Sequence, residues 1–386
     1  MKSVKLIPTI LVKCILRIFY GLFCMLFKVD RQKVTFASYR SDTVKDNLAY
    51  VNKELARKYP AIKRHFLFKR FNSSSGGKLT YILHMIKACF HLATSRYFII
   101  DDYYLPVYMI KLRKDVDVIQ LWHSAGALKK FGLSTLDKPF GPSEAYLKHV
   151  SIHGNYTKAY VSSSEVVPFF AEAFGMPKEQ ILPLGVARTD YFYQEETIEK
   201  LRSDSYRDYP DLVGKKLLLY APTFRGRSHY QDAFELPFDV HYMRERLQDE
   251  YVLMIHLHPY MQAGLLLEDQ SFAKLIDHTY TIQELLALTD ILITDYSTVF
   301  FDYSLLDRPM VFYPYDLEEY KQERDFYYPY EGLVPGPIVR DTESLVGAIK
   351  AAVFNKGPKQ FKDRFFDYQD GRAAERIVVD IFKEKR

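Results

Sequence analysis

The sequence predicts an α/β protein with two Rossmann-like lobes, each built on a parallel sheet, behind an apolar N-terminal segment. From residue 33 onward, short strand-like apolar runs alternate with helix-like segments, which is the pattern of parallel α/β domains. These runs form two series of similar size, separated by a polar, charged helical stretch at about residues 192–213. We therefore expect an N-terminal segment (1–30), a first lobe (31–200) and a second lobe (201–386).

Length, charge and cysteine content fit a globular protein of about two domains. The chain has 386 residues and a net charge of +5, and its basic residues are scattered without a run typical of nucleic-acid binding, so no nucleic-acid partner is expected. The cysteines, Cys14, Cys24 and Cys89, lie in apolar surroundings without metal-ligand spacing, which indicates reduced thiols.

The N-terminal segment "LIPTILVKCILRIFYGLFCMLFK" predicts an amphipathic helix at a membrane interface. Lys13 and Arg17 interrupt it, and its longest uncharged run, residues 18–27, is shorter than the ~20 residues that span a bilayer. Lys13, Arg17 and Lys28 recur at helical spacing, so we expect them to face anionic headgroups. An uncleaved signal anchor and a buried core helix are the alternatives.

The strand-like runs define the two predicted sheets. The first series is "VTFASY", "HFLFK", "YFIID", "DVIQLW" and "AYVSS". The second is "KLLLYAP", "YVLMIH", "TYTI", "DILIT" and "MVFYP". Polar clusters follow several of these strands, namely "LWHSAGALKKFG", "YAPTFRGR", "HLHP" and "TDYST". Because ligands bind at the carboxyl edge of open parallel sheets, four such clusters predict a cleft between the lobes.

The stretch "LITDYSTVFFDY" (292–303) changes from strand to helix, so Ser297 is a natural N-cap. A helix that starts directly after a strand offers free backbone N–H groups, which favours an anionic ligand. The sequence has no dinucleotide fingerprint, P-loop, kinase set or G-x-S-x-G motif. The clusters instead hold histidines, arginines and hydroxyls, an inventory that suits phosphate binding and transfer of one proton.

These motifs, with "LPLGVARTDYF" (182–192) and "GLVPGPIV" (332–339), resemble the CDP-glycerol glycerophosphotransferase family of teichoic acid synthesis over about residues 33–345. Members of that family resemble GT-B glycosyltransferases in fold. The resemblance implies transfer of glycerol phosphate from CDP-glycerol to a hydroxyl of an undecaprenyl-diphosphate-linked disaccharide, with release of CMP and no cofactor. "WHSAGALKKFG" is closer to the branch that adds the first glycerol phosphate than to the polymerising branch, which usually carries "WHG" followed by "TPLK".

The resemblance also implies residue roles. His123 is the candidate general base, because an imidazole pKa near neutrality suits it for taking the acceptor proton. His258 is the candidate hydrogen-bond donor to the pyrophosphate of the CDP-polyol. His256 and His258 have no third metal ligand in the sequence pattern, so no metal is expected. Asp295 is expected to orient the turn, and "DDYY" (101–104) to be structural or part of the acceptor surface. The candidate substrate-binding residues are Arg188, Thr223, Arg225, Ser297, Thr298 and Asp302.

The family implies a peripheral enzyme on the cytoplasmic face of the cell membrane, with an anionic membrane surface as a partner and a homo-oligomer as an open possibility. Three alternatives remain at this point. The first is a polymerising glycerol- or ribitol-phosphate transferase; the second is a nucleotide-sugar glycosyltransferase with the same fold. The third is an inactive membrane-associated scaffold, which the intact His123, His258, Arg225 and Ser297 disfavour.

Overall fold

The computed structural model describes residues 6–70, 75–136, 138, 141–224, 234–257, 267, 270–276, 279–323, 325–352 and 359–383. The chain divides into two compact units. Unit 1 comprises Met1–Asp190, Glu323–Asp325 and Arg372–Arg386, and unit 2 comprises Tyr191–Gln322 and Phe326–Gly371. The α/β class with parallel sheets and an apolar N-terminal helix is confirmed.

The described residues form eleven strands, arranged in two wholly parallel sheets. The strands are β1 (Asp30–Ser38), β2 (Lys63–Phe68), β3 (Ser95–Ile100), β4 (Asp117–Gln120), β5 (Lys158–Tyr160), β6 (Ile181–Leu182), β7 (Lys216–Tyr220), β8 (Tyr251–Ile255), β9 (Ala273–Leu275), β10 (Ile291–Thr294) and β11 (Met310–Phe312). The unit 1 sheet has the order β2-β1-β3-β4-β5-β6 and the unit 2 sheet the order β11-β10-β7-β8-β9. Each strand therefore ends at the same edge of its sheet as its neighbours.

Helices precede, connect and follow these strands along the chain. They are α1 (Ile7–Leu26), α2 (Asp46–Lys58), α3 (Ser75–Thr94), α4 (Leu105–Met109), α5 (Glu144–Leu147), α6 (Val167–Phe174), α7 (Glu195–Asp208), α8 (Val240–Leu247), α9 (Ile282–Leu288), α10 (Val299–Ser304), α11 (Leu317–Glu323), α12 (Tyr330–Leu333), α13 (Thr342–Ala352), α14 (Lys359–Phe365) and α15 (Ala373–Phe382).

In unit 2, β8 and β10 are interior strands that are buried at every residue and mostly apolar, as expected for strands covered on both faces. The predicted strand "TYTI" is wrong. Thr281 instead caps α9, because its hydroxyl accepts from the Glu284 backbone N–H (3.3 Å) while the Glu284 carboxylate accepts from the Thr281 N–H (2.6 Å). The short strands β6 and β9 were not predicted, since two or three residues carry too little periodicity.

The core of unit 1 includes α15, although the sequence analysis placed this helix in the second lobe. Ile377, Val378 and Ile381 of α15 are buried in the same hydrophobic cluster as Leu48 and Leu55 of α2. Asp190 fixes the start of α15, because its carboxylate accepts from the backbone N–H groups of residues 373 and 374 at 2.8 and 2.9 Å. Residues at both ends of the unit 1 sequence therefore complete one core.

The N-terminal helix α1 packs on unit 1 through Leu16 and Tyr20, which are buried. The Lys13 Nζ donates to the His149 carbonyl at 2.5 Å, and the Arg17 Nε donates to the Met109 carbonyl at 2.9 Å. The expectation that these two basic groups face lipid headgroups is therefore wrong, because both bond to the protein backbone.

The opposite side of α1 is an exposed apolar face. Its large exposed hydrophobic residues are Ile7, Leu11, Ile18, Leu22, Met25 and Leu26. By length and composition α1 could also cross a membrane, and it is the one such helix among the described residues.

Candidate functional site

In unit 1, a sharp turn at the end of β4 positions His123. The preceding residue, Trp122, has a left-handed backbone (φ 53°), which is costly for an aromatic residue. Two buried side chains hold this conformation: Gln120 accepts from the Trp122 N–H at 2.8 Å, and Asn47 donates to the Trp122 carbonyl at 2.9 Å. Strain held by buried polar groups is typical of functional sites.

His123 lies beside the two carboxylates that follow β3. Its Nδ1 is 3.3 Å from the Asp101 carbonyl oxygen and 3.4 Å from Asp102 Oδ2. Both neighbours are acceptors, so Nδ1 carries the proton and Nε2 presents a lone pair. The same Asp102 Oδ2 is 3.2 Å from the Nε of Arg40, which completes a guanidinium–carboxylate–imidazole chain.

The electrostatics of this cluster keep His123 neutral. Burial, Arg40 and Arg188 lower the pKa of His123 to about 3, so the near-neutral imidazole pKa expected from the sequence is not found. Burial raises the pKa of Asp101 and Asp102 to about 6. At neutral pH the cluster therefore contains two carboxylates and an uncharged imidazole that can accept a proton.

Arg188 is also part of this cluster, as a buried side chain. Its guanidinium donates to the His123 carbonyl at 2.5 Å, and its backbone N–H donates to Asn47 Oδ1 at 2.8 Å. Asn47 thus holds both the Trp122 turn and Arg188. The structure places Arg188 next to His123 and mostly below the surface, so any phosphate that it neutralises must approach His123 itself.

In unit 2, Asp295 joins the ends of β7 and β10. Its Oδ1 accepts from the Thr223 N–H at 2.8 Å and from the Ser297 N–H at 3.1 Å, while Tyr330 donates to its carbonyl at 3.0 Å. This arrangement agrees with the orienting role expected for Asp295 and brings Thr223 and Ser297 together. Ser297 and its neighbour Thr298 are partly exposed and so accessible to a ligand.

Two details of the strand-to-helix turn differ from the sequence analysis. The N-cap of α10 is Thr298, whose side chain makes no capping bond, rather than Ser297. The helix has only six residues, so its dipole is a weak source of anion attraction. Asp302 lies in this helix and is 1% exposed, so it cannot accept a ligand hydroxyl without a rearrangement.

His258 and Arg225 lie outside the described residues, and their predicted roles stay predictions. His256, two residues before His258 in the sequence, donates its backbone N–H to the Tyr220 carbonyl at 2.9 Å. This bond places His256 at the carboxyl edge of the unit 2 sheet. Among the residues that the structure describes, no group of three His, Cys, Asp or Glu side chains could hold a metal ion.

Sequence reasoning missed the partners of His123. Asp102 was noticed, but was expected to be structural or part of the acceptor surface, because adjacent side chains at a strand end diverge. They do diverge: the Asp102 carboxylate is directed to His123 and Arg40, whereas the Asp101 carboxylate interacts with Ser38. Arg40 and Asn47 come from other elements, and no local pattern signals them.

Three comparisons with known proteins bear on this arrangement. The family model for CDP-Glycerol:Poly(glycerophosphate) glycerophosphotransferases matches residues 18–383. A teichoic acid ribitol-phosphate primase of Bacillus spizizenii is 45% identical over 377 residues, which are 97% of each chain. A teichoic acid glycerol-phosphate primase of Bacillus subtilis is 34% identical over 297 residues, 77% of this chain and 76% of that one.

Among solved structures, the wall teichoic acid polymerase TagF superposes with a TM-score of 0.76 over 92% of this chain and 90% of that chain. The identity is 22%, so this likeness establishes the fold alone.

Proposed function

The chain belongs to the CDP-glycerol:poly(glycerophosphate) glycerophosphotransferase family and is a teichoic acid phosphotransferase, and on this premise we propose that it is a primase that prefers CDP-ribitol. In this reaction one polyol phosphate passes from the CDP-polyol to a hydroxyl of a lipid-linked disaccharide precursor, and CMP is released. The observation that carries the proposal is 45% identity to a ribitol-phosphate primase along 97% of both chains.

CDP-glycerol, the donor expected from the sequence, stays the second candidate. The glycerol-phosphate primase supports it at 34% identity over 77% of the chain, a weaker and shorter match. Ribitol and glycerol differ by two hydroxymethylene units, so selectivity depends on the polyol end of the donor pocket and not on the phosphate-binding groups.

In the proposed mechanism, His123 is the general base. The acceptor hydroxyl donates to Nε2, and its oxygen attacks the β-phosphorus of the CDP-polyol. The new O–P bond forms as the bridging P–O bond breaks, the proton passes to His123, and the electron pair leaves with CMP. Asp102 is the positioning residue, because its carboxylate 3.4 Å from Nδ1 fixes the ring and stabilises the imidazolium.

A base with a lowered pKa needs activation by the substrate. Burial is the largest cause of the low pKa of His123, and Arg40 and Arg188 lower it further, so phosphate groups bound near these cations offset part of the lowering and raise the pKa of His123. This coupling favours proton transfer in the loaded enzyme over the free enzyme. In unit 2, Thr223, Ser297 and Thr298 are proposed to bind the donor phosphates, together with Arg225 and His258 from the family pattern.

The enzyme is further proposed to be peripheral to the cytoplasmic face of the membrane, where the lipid-linked acceptor resides. The exposed apolar face of α1 supports this location, and the bonds of Lys13 and Arg17 to unit 1 support a helix that lies along the protein instead of crossing the bilayer.

The test measures CMP release from CDP-ribitol and from CDP-glycerol in parallel. The acceptor is a soluble analogue of the lipid-linked disaccharide, supplied either alone or already carrying one glycerol phosphate. We expect a single ribitol phosphate in the product mass, and loss of turnover in His123→Ala but not in the control His241→Ala, whose side chain is 68% exposed. Release of CMP from CDP-glycerol alone would identify glycerol as the polyol. Turnover of a nucleotide sugar with neither CDP-polyol active would refute the phosphotransferase proposal.

A further inference from the structure

A large basic cavity lies at the edge of the unit 1 sheet opposite to His123. It has a volume of about 1090 Å³, and the amino-terminal ends of β1, β3, β4 and β5 form its wall. Seven of its fifteen lining residues are Lys or Arg and three are Asp. The catalytic cluster occupies the carboxyl ends of the same parallel strands, so this cavity is a separate site.

The charges in this cavity are only partly compensated. Arg96 pairs with Asp117 at 2.8 Å and Lys158 pairs with Asp380 at 2.6 Å. Four lining cations make no ion pair with any residue in the described ranges, and they are exposed: Lys28, Arg31, Lys114 and Lys383. Four like charges around one cavity repel one another, and a bound anion relieves that repulsion.

The exposed apolar face of α1 leads directly to this cavity. Met25 and Leu26, near the end of the helix, are 79% and 65% exposed, and Lys28, two residues later, lines the cavity. Arg113, another lining residue, donates to the Phe27 carbonyl at 3.0 Å and so ties the end of α1 to the cavity wall. An apolar helix face that ends in a group of cations matches the layering of a membrane surface, with acyl chains beside headgroup phosphates.

We propose that this cavity binds the phosphate of an anionic phospholipid headgroup while the apolar face of α1 contacts the adjoining acyl chains. The lipid is a membrane anchor and is not consumed in the transfer reaction. The proposal rests on the peripheral location described above, and it is independent of which polyol the enzyme transfers. Long Lys and Arg side chains at the rim reach the phosphate, since their stems pack on apolar surface while their charges stay in the headgroup layer.

The test compares two full-length variants with the same loss of charge. Lys28→Gln, Arg31→Gln and Lys114→Gln are combined in the cavity variant. The control combines Lys53→Gln, Lys178→Gln and Lys200→Gln, at exposed positions elsewhere on the chain.

Binding is measured by co-sedimentation with phosphatidylcholine vesicles containing 0 or about 30% phosphatidylglycerol. Each cation near an anionic surface contributes about fivefold to the affinity, so the cavity variant is expected to lose on the order of 100-fold in affinity for anionic vesicles. The control variant is expected to lose less than about fivefold. CMP release with a soluble acceptor should be unchanged in both variants, so failure of this proposal is distinguishable from failure of the proposed function.

A second arm separates a lipid headgroup from a free anion. Dihexanoyl phosphatidylglycerol below its micelle concentration is expected to displace vesicles from the wild-type protein, whereas the same concentration of inorganic phosphate is not. Equal displacement by both would overturn the lipid assignment and leave a general anion site. Equal loss of vesicle binding in the cavity variant and the control would overturn the cavity as the docking element altogether.

Discussion

Replacing Asp102 with Asn tests whether this carboxylate positions His123. The substitution removes the charge but keeps an oxygen for the Tyr103 N–H, which now donates to Asp102 Oδ1 at 2.6 Å, so the local backbone should be retained. The lost interaction is the one between Asp102 Oδ2 and the imidazolium that forms as His123 takes the acceptor proton. Because that charge develops only near the transition state, kcat should fall by a larger factor than the affinity for the substrates.

The magnitude follows from the 3.4 Å separation of Asp102 Oδ2 and His123 Nδ1. At an effective dielectric constant of about 20, unit charges at this distance interact by about 5 kcal/mol. If about half of a proton charge has developed on the ring in the transition state, the loss is about 2–3 kcal/mol, or roughly 30- to 150-fold in kcat.

The assay is the rate of CMP release at saturating CDP-polyol and acceptor, from pH 5 to 9. Asp101→Asn is the matched control, since it removes the neighbouring charge but keeps the carbonyl that faces His123, and its kcat should change by less than about fivefold. The wild-type rate should fall below about pH 6 as Asp102 is protonated, and this step should be absent in Asp102→Asn. A kcat within threefold of wild type in Asp102→Asn, with an unchanged pH profile, would refute the positioning role.

Three further predictions concern stability. Gly132→Ala should lower the free energy of unfolding by at least about 2 kcal/mol in denaturant, because residue 132 has φ +56° and a Cβ would lie 2.3 Å from the Ala173 carbonyl oxygen. The control is Gly332→Ala, which has open space around the added Cβ and should stay within about 1 kcal/mol of wild type. Thr281→Ala removes the capping box of α9 and should cost about 1 kcal/mol in the same assay, whereas Thr281→Ser should retain most of it. The melting temperature should fall between pH 7 and pH 5, because four histidines stay neutral in the folded state, with pKa values lowered to about 3 or 4, but bind protons near pH 6.5 when unfolded. The raised pKa values of Asp101 and Asp102 act in the opposite direction, so a rise in melting temperature over this interval would show that the two carboxyl groups dominate.

Sequence reasoning succeeded where one segment determines its own structure. The run "DILIT" contains three consecutive apolar residues, 291–293, and they lie in the fully buried β10 because an interior strand can bury each of them. The segment before His123 was likewise predicted as a strand from its own residues, and it contains β4 (Asp117–Gln120); the catalytic role of His123 stays a prediction.

It failed where the outcome depends on a partner distant in sequence. "TYTI" has strand propensity, but the capping box between Thr281 and Glu284 starts a helix within it. Lys13 and Arg17 fit the amphipathic pattern, yet their bonds go to carbonyls of residues 149 and 109, which no helical wheel contains. The pKa of His123 depends on its burial and on Arg40 and Arg188, which come from separate elements.

The placement of α15 in unit 1 also determines the order of events during synthesis. Asp190 and α2 are translated long before residues 373–381. Asp190 caps the start of α15, and α15 packs with α2 in the core of unit 1. At about 5–20 residues per second, the ribosome needs roughly 10–40 s to extend the chain from residue 190 to residue 372. During that interval Leu48 and Leu55 lack their α15 neighbours, so the nascent first unit exposes an aggregation-prone apolar surface. Until α15 docks, that surface is one that chaperones can bind.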